Sequence, residues 1–351
     1  MFLENPLKLL RMCLDDALML SAYLSKVEGK LKDKLLEGLE FIGWREIIKK
    51  DDVVFIKPNF TFPLFREGVT TNPEVIKSLL ELLRDRYTRV IVGESDGGNH
   101  SFKAEEAFTG HKMIEICKEA GAELVNLSTL PSKFVEAEIL SKKVKVQLPK
   151  ILLEEVDCFI SLPVLKVHVM TGVSLGLKNL WGCYPDTMRC LHHQDLDRKL
   201  TLIAKILNPK ITIIDGLYAL DGHGPMYGEP VKTDLLIMSN NIVVADALGA
   251  TIMNIPLKRA RHILVAEKEG IGTTRLENVK INTDWSRYRR EFRIRKTIID
   301  RLSTIPFHSY AAAKLIMDSP FTPLIYEVAT MLRTSEENAV ANQLKSYKHC
   351  M

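Results

Sequence analysis

The sequence predicts an α/β fold: a mainly parallel open sheet with helices on both faces, and helical extensions at both ends of the chain. Three observations predict it. Short apolar runs alternate with helical stretches in the middle of the chain, the first fifty residues have a helical period, and strand-like runs cease after Asp284. We therefore divide the chain into an N-terminal helical segment (1–50), an α/β core (51–284) and a C-terminal helical extension (285–351).

Residues 1–50 are interpreted as helix because apolar positions such as Leu20, Leu24 and Leu35 recur near a 3.6-residue period between charged ones. From Asp52 onward, short and largely β-branched apolar runs predict strands that are buried on both faces of the sheet. These runs are 53–56, 90–92, 124–127, 158–162, 211–214, 235–238 and 242–244.

Helix boundary signals lie between the predicted strands. Asn72 and Pro73 are a typical N-cap and first helical residue, and they precede a helical stretch over 75–86. A second helix is predicted over 105–120 and ends at Gly121. Since strand-helix-strand units are right-handed and their connections short, these signals predict a right-handed open sheet.

Composition excludes several classes of protein. The chain has 351 residues, of which 46% are hydrophobic and 26% charged, as in an ordinary globular protein rather than a disordered or collagenous one. No run of about 18 apolar residues is present and the start lacks the apolar core of a signal peptide, so we expect a cytoplasmic protein. The six cysteines form no CxxC pair, and a net charge of +4 does not indicate nucleic-acid binding.

Two segments that follow predicted strands combine basic and amide side chains. Open α/β sheets bind ligands at the carboxyl ends of their strands, and lysines with glycine amides there favour an anion. The alternatives are that the lysine of the first segment is an ordinary surface residue and that the glycines of the second only allow a tight chain connection. We assign ligand binding to Lys57, Asn59, Lys178 and Asn179, and proton transfer to Lys166 and His168.

A third segment, 215–228, follows the predicted strand 211–214 and is rich in glycine. Its glycines and Pro225 predict an irregular loop whose backbone amides need partners. We expect Asp215 and Asp221 to act with the lysines in proton transfer or metal binding, and Gly222 and Gly224 to contact the ligand.

A divalent metal is a further hypothesis. On a continuous helix Cys190, His193 and Asp197 would share one face, so His193 and Asp197 are candidate metal ligands, with helix-capping and hydrogen-bonding roles as the alternative. Asp246 either points into the same cleft or caps the helix after it. The sequence contains no P-loop, GxSxG, HExxH or dinucleotide-binding fingerprint.

The segment 285–296 carries six positive charges, one negative charge and interleaved aromatic residues. One interpretation is a helix that packs Trp285, Tyr288 and Phe292 on the domain. The other is a docking surface for an anionic membrane or a redox protein.

Several motifs in order resemble one known family, the domain of unknown function 362. They are Lys57-Pro58-Asn59, Thr71-Asn72-Pro73, Gly93-Glu94-Ser95-Asp96-Gly97-Gly98, Leu162-Pro163 with Lys166 and His168, Leu177-Lys178-Asn179-Leu180-Trp181-Gly182, and Asp215-Gly216 with Gly222-His223-Gly224-Pro225 and Gly228. The resemblance spans residues 52–272 and implies an α/β domain with a ligand cleft. Many members carry a fused CxxCxxCxxxCP module; this chain has none, which argues against a conventional [4Fe-4S] cluster.

The function we predict is an enzyme that acts on a small anionic metabolite in a cleft lined by Lys, His and Asp, with the reaction type left open. The alternative is a non-catalytic protein that docks a membrane or a redox partner through residues 285–296. Nucleic-acid binding ranks last because the charge excess is small.

Overall fold

The computed structural model describes residues 19–84, 89–297 and 309–331, together with residues 300, 304, 307, 338, 339 and 342. The strands are β1 (Ser21–Lys26), β2 (Val53–Pro58), β3 (Arg89–Glu94), β4 (Glu123–Asn126), β5 (Ser132–Ile139), β6 (Lys142–Pro149), β7 (Cys158–Leu162), β8 (Val164–His168), β9 (Gly172–Ser174), β10 (Ile211–Asp221), β11 (Glu229–Ser239) and β12 (Lys280–Ile281). The helices are α1 (Leu31–Phe41), α2 (Trp44–Ile47), α3 (Pro73–Leu83), α4 (Ala104–Gly110), α5 (Met113–Ala120), α6 (Lys150–Glu154), α7 (Gly176–Asn179), α8 (Leu196–Leu207), α9 (Ile242–Ile252), α10 (Arg261–Lys268), α11 (Tyr310–Met317) and α12 (Thr322–Met331).

The central sheet has the strand order β12-β1-β11-β10-β7-β2-β3-β4, with β8 paired to β10 and β9. The five strands from β10 to β4 are mutually parallel, whereas β11 runs antiparallel to both β10 and β1. Strands β5 and β6 form a separate antiparallel pair. The fold is therefore α/β with a mainly parallel sheet, as predicted.

Two apolar cores lie on opposite faces of this sheet. Successive residues of β2 alternate between them: Phe55 belongs to one core, and Val54 and Ile56 belong to the other. Alternation of this kind follows from the two-residue period of a strand and shows that both faces are buried. The first core includes residues of α8 and α9 and the second includes residues of α1 and α3, so helices cover both faces.

The predicted start of α3 is confirmed, whereas the helix ends at Leu83, earlier than the predicted stretch 75–86. The Asn72 side chain accepts a hydrogen bond from Glu74 N, and Pro73 is the first helical residue. Gly121 ends the following helical stretch with φ 71°. That stretch is interrupted, however: α4 ends at Gly110 and α5 begins at Met113, because Lys112 has the left-handed φ of 57°.

The prediction of helix over the first fifty residues is wrong for Ser21–Lys26, which form β1 between β11 and β12. Residues four apart, such as Leu20 and Leu24, share a face in a strand as well as in a helix, so this spacing alone does not distinguish the two. The structure places Leu24 in one core and Tyr23 in the other, which is the alternation of a buried strand. Residues 1–18 lie outside the described residues.

The run 242–244 is the second misassigned element. It begins α9 instead of forming a strand, because the Asn241 side chain accepts hydrogen bonds from Val243 N and Val244 N at the helix start. The helix is apolar on almost every side because the protein surrounds it, so it lacks the one-sided pattern of a surface helix.

Within the described ranges, no helix is both long and apolar enough to span a lipid bilayer.

Candidate functional site

A cavity of about 120 Å³ lies at the carboxyl ends of β2 and β3. This is the edge at which open α/β sheets hold their ligands, and the volume is enough for a small molecule. The lining residues are Lys57, Asn59, Phe60, Thr61, Glu94, Lys166, His168, Ser174, Lys178, Asn179, Trp181, Gly182, Arg189 and Pro225. Four of them carry cationic side chains, and the one carboxylate among them belongs to Glu94.

Lys57 and Glu94 form a buried ion pair at the ends of the neighbouring strands β2 and β3. The Nζ to Oε2 distance is 2.5 Å, and the two side chains are 1% and 6% exposed. The carboxylate also accepts hydrogen bonds from Phe60 N at 3.0 Å and Ser95 N at 2.9 Å. The surrounding backbone thus fixes the carboxylate that balances Lys57.

Gly182 lets the chain approach this ion pair closely. A Cβ at position 182 would lie 2.8 Å from Glu94 Oε1 and 2.9 Å from Lys57 Nζ, both shorter than normal contacts. The residue belongs to a 3-10 turn, Leu180–Cys183, which also places Trp181 in the cavity wall. Any larger side chain at position 182 would have to displace the ion pair.

Lys166 is fixed by a chain of hydrogen bonds. Its Nζ donates to Asn59 Oδ1 at 2.8 Å and to Val69 O at 2.7 Å. Asn59 in turn donates to Asn179 Oδ1 at 3.2 Å, and Asn179 donates to Lys57 O at 2.8 Å. Burial, followed by the positive charge of Lys178, lowers the pKa of Lys166 to about 7.

Lys178 differs from the other cavity cations. It lies on α7 and is partly exposed, and within the described part of the chain its amine has no hydrogen-bond or ion-pair partner. Burial and the neighbouring Arg189 lower the pKa of Lys178 to about 8. The Arg189 guanidinium is held by backbone carbonyls, donating to Asp186 O at 3.2 Å and Asp96 O at 2.6 Å.

His168 presents one ring nitrogen to the cavity in a defined state. Its Nδ1 accepts hydrogen bonds from Met170 N at 3.1 Å and Thr171 N at 3.4 Å, so the proton of the neutral ring is on Nε2. Burial and the charge of Lys178 lower the pKa of His168 well below its ordinary value. The neutral His168 ring therefore offers an Nε2–H hydrogen-bond donor to the cavity.

The six lysine, histidine and asparagine residues predicted from the strand ends all line this cavity: Lys57, Asn59, Lys166, His168, Lys178 and Asn179. The two predicted aspartates, Asp215 and Asp221, are not among the residues that line it. Asp215 caps the chain at the start of α3, accepting from Asn72 N at 2.8 Å and Leu217 N at 3.1 Å. Asp221 accepts from Arg293 N at 2.6 Å.

Gly222 and Gly224 do not line the cavity either. Gly222 has φ 81° and exchanges backbone hydrogen bonds of 2.9 Å with Arg293 and Arg295. Gly224 lies so close to β8 that a Cβ there would be 1.9 Å from Val167 O. Gly222 thus serves a left-handed backbone and Gly224 a close backbone contact, although the next residue, Pro225, does reach the cavity wall.

The metal site predicted at His193 and Asp197 is not assembled. Asp195 has φ 54° and separates the 3-10 turn Arg189–His192 from α8, so the assumed continuous helix does not exist. The His193 ring donates a hydrogen bond from Nδ1 to Cys190 O at 2.8 Å. The Asp197 carboxylate is paired elsewhere, with its Oδ2 3.6 Å from Arg261 Nε. Among the described residues, no three His, Cys, Asp or Glu side chains are grouped as metal ligands would be.

The basic segment 285–296 is largely extended, not helical, after a short 3-10 turn at Trp285–Tyr288. Its apolar side chains Trp285, Tyr288 and Phe292 pack against the domain, as one interpretation predicted, while its arginines are exposed. Arg295 bonds Glu229 Oε1 at 2.9 Å. Aromatic packing therefore explains the spacing without a docking partner.

Sequence reasoning missed two charged cavity residues, Glu94 and Arg189. Glu94 ends β3 just as Lys57 nearly ends β2, so the strand-end argument would have found it. Arg189 lies in a 3-10 turn with no pattern of its own, and only tertiary contacts bring it to the cavity.

Comparisons with known proteins place most of this region in one family. A family described as a domain of unknown function, DUF362, matches residues 54–251. A thylakoid-associated protein of Synechocystis sp. is 27% identical over 256 residues, covering 69% of this chain and 75% of that protein. A crystal structure of a Thermotoga maritima protein is similar at 13% identity and a TM-score of 0.35, covering 54% of this chain and 51% of the other. The family match includes every residue that lines the cavity.

Proposed function

The chain belongs to the DUF362 family, and we propose that it is an enzyme that binds a small anionic metabolite in the cavity at the strand ends. The observation that carries the proposal is the charge of the cavity wall. Lys57, Lys166, Lys178 and Arg189 line one cavity, and Glu94 is the one carboxylate among the lining residues.

A bound anion would stabilise this arrangement. Cations that are buried together repel one another, and burial penalises each charge, which is why the pKa values of Lys166 and Lys178 lie below the ordinary lysine value. A carboxylate or phosphate supplies the missing negative charge and accepts hydrogen bonds. Charge-assisted bonds of this kind are roughly twice as strong as neutral ones.

The cavity also contains groups suited to chemistry. Lys166, with a pKa of about 7, exists as both ammonium and amine near neutral pH, as efficient proton transfer requires. The Nε2–H of His168 can hydrogen-bond to an oxygen on the ligand without changing its own protonation state. These groups suit an enzyme that moves protons on a bound anion, and they leave the reaction class open.

Calorimetric titration with inorganic phosphate and with succinate tests the proposal. We expect binding by the full-length protein, and Arg189→Gln or Lys178→Gln should each weaken it by roughly tenfold to a hundredfold, the equivalent of about 1.5–3 kcal/mol for a charged hydrogen bond. Lys118→Gln removes an exposed lysine outside the cavity and is the matched control. Equal affinities in all variants would contradict an anion site here.

Anion binding should weaken as pH rises. The ammonium forms bind the anion, and Lys166 and Lys178 lose their positive charges as pH passes about 7 and about 8. The dissociation constant for succinate, which remains a dianion, should therefore increase by about tenfold or more from about pH 6 to about pH 9. Titrations across this range check the sign, and an affinity that rises with pH would exclude these lysines.

A further inference from the structure

We propose that Lys178 is a nucleophilic amine that forms an imine with the carbonyl group of a small 2-oxo acid bound in the cavity. The inference rests on the proposed function, since the carboxylate of the 2-oxo acid occupies the anion site. It adds a covalent role for one residue and a substrate class for the site.

Hydrogen bonding distinguishes Lys178 from the three other cavity cations. Lys57 is held by Glu94 and Pro58 O, and Lys166 by Asn59 and Val69 O. Arg189 is held by two backbone carbonyls. Among described residues the Lys178 amine has no such contact, although it is partly exposed and lines the cavity. It is therefore the cavity amine most available to a bound ligand.

The electrostatic surroundings of Lys178 favour its neutral form. Only an amine with a free electron pair attacks a carbonyl, and a lysine that is desolvated and placed beside another cation reaches this state more readily. Burial and the positive charge of Arg189 together lower the Lys178 pKa to about 8. A useful fraction of the residue is thus neutral near physiological pH.

The remaining cavity groups match the rest of a 2-oxo acid. Arg189 and the ammonium form of Lys166 can hold the carboxylate while Lys178 meets the adjacent carbonyl carbon. The Nε2–H of His168 can donate a hydrogen bond to the carbonyl oxygen. Lys178 lies close enough that its positive charge is, after burial, the largest cause of the lowered pKa of His168. A carboxylate next to a ketone therefore uses both the fixed cations and the unpartnered amine.

The step is balanced and needs no oxidant or reductant. The neutral Lys178 Nζ electron pair forms a bond to the carbonyl carbon as the C=O π bond breaks, and one nitrogen proton passes to the oxygen to give a carbinolamine. The C–O bond then breaks as the nitrogen electron pair forms the C=N bond, and the hydroxyl leaves as water with the second nitrogen proton. The net change is an amine plus a ketone giving an imine plus water.

Reductive trapping with pyruvate and sodium cyanoborohydride tests this assignment on the full-length protein. We expect the intact mass to increase by one reduced pyruvyl group and peptide mapping to locate it on Lys178. Lys178→Arg keeps the positive charge and should lose at least about nine-tenths of the labelling while still binding succinate. Lys118→Arg, outside the cavity, should label like the original protein.

Two further readouts separate this proposal from simple anion binding. Succinate has the carboxylates but no ketone, so it should protect Lys178 from labelling without forming an adduct. At saturating pyruvate, labelling should increase as pH rises through about 8, the opposite of the succinate affinity. Succinate binding without any adduct on Lys178 would overturn the imine and leave the anion site standing. Failure of both pyruvate and succinate to bind would overturn both proposals.

Discussion

Replacing Glu94 with glutamine should lower the free energy of unfolding by about 3–5 kcal/mol, because it leaves the buried ammonium of Lys57 without its carboxylate. The two side chains are 1% and 6% exposed, so water does not replace the lost partner. Chemical denaturation of the original protein and Glu94→Gln measures the difference. A change below about 1 kcal/mol would show that the pair is solvated in solution.

Two matched variants separate the buried charge from other effects at Glu94. Glu123→Gln removes one of the two carboxylate partners of Arg89, one whose side chain is 48% exposed, and should cost at most about 1 kcal/mol. Lys57→Met combined with Glu94→Gln removes both charges and keeps an oxygen that can accept from Phe60 N. This double variant should recover part of the lost stability, since neither buried charge then remains unpaired.

The same substitution should strengthen anion binding while it weakens the fold. Glu94 is the one carboxylate among the cavity residues, so its removal leaves Lys57 free to bind an added anion. At a given concentration, a ligand that binds the folded state more tightly raises the free energy of unfolding more. Phosphate should therefore stabilise Glu94→Gln more than it stabilises the original protein. Equal stabilisation of both proteins would place the bound phosphate away from Lys57.

One physical rule accounts for most of what the sequence predicted about the site. Polar side chains that come at the end of buried parallel strands meet at one edge of the sheet, as Lys57 and Lys166 do. The rule also requires knowing where each strand ends. Asp215 follows the predicted strand 211–214, but β10 continues to Asp221, and the Asp215 carboxylate accepts a hydrogen bond from Asn72 N at the start of α3. Predicting the strand without its true end was therefore insufficient to place Asp215.

Features that depend on tertiary contacts were not predictable from local patterns. The apolar residues of β1 are four positions apart, a spacing that fits a strand as well as a helix. Pairing with β11, more than 200 residues further along the chain, makes this segment a strand. The helix assumed through His193 and Asp197 fails at Asp195, whose left-handed backbone no periodicity reveals. Arg189 is held at the cavity partly by Asp96 O, 93 residues away along the chain.

Asp246 supports the segment that carries Lys178, and its substitution should have the second large effect. It lies fully buried in α9, and its carboxylate accepts hydrogen bonds from Gly176 N at 2.7 Å and Leu177 N at 2.9 Å. These amides begin α7, the helix of Lys178 and Asn179. Asp246→Ala should cost about 2–5 kcal/mol of unfolding free energy, because two buried N–H groups lose their acceptors. Asp284→Ala, at an exposed turn, is the control for loss of a carboxylate.

The pH dependence of this effect gives a sharper test. Burial raises the pKa of Asp246 to about 7, although its two backbone hydrogen bonds lower it. Between about pH 4 and about pH 7 the folded protein thus keeps a proton that the unfolded chain releases, so this carboxyl makes stability fall as pH rises, by up to about 1.4 kcal/mol per pH unit. Asp246→Asn has no ionisable group here. Denaturation at several pH values should find the original protein's advantage over Asp246→Asn largest at about pH 4 and below, and smallest above about pH 7. An advantage that grows with pH would mean that the hydrogen bonds to α7, rather than burial, set the ionisation of Asp246.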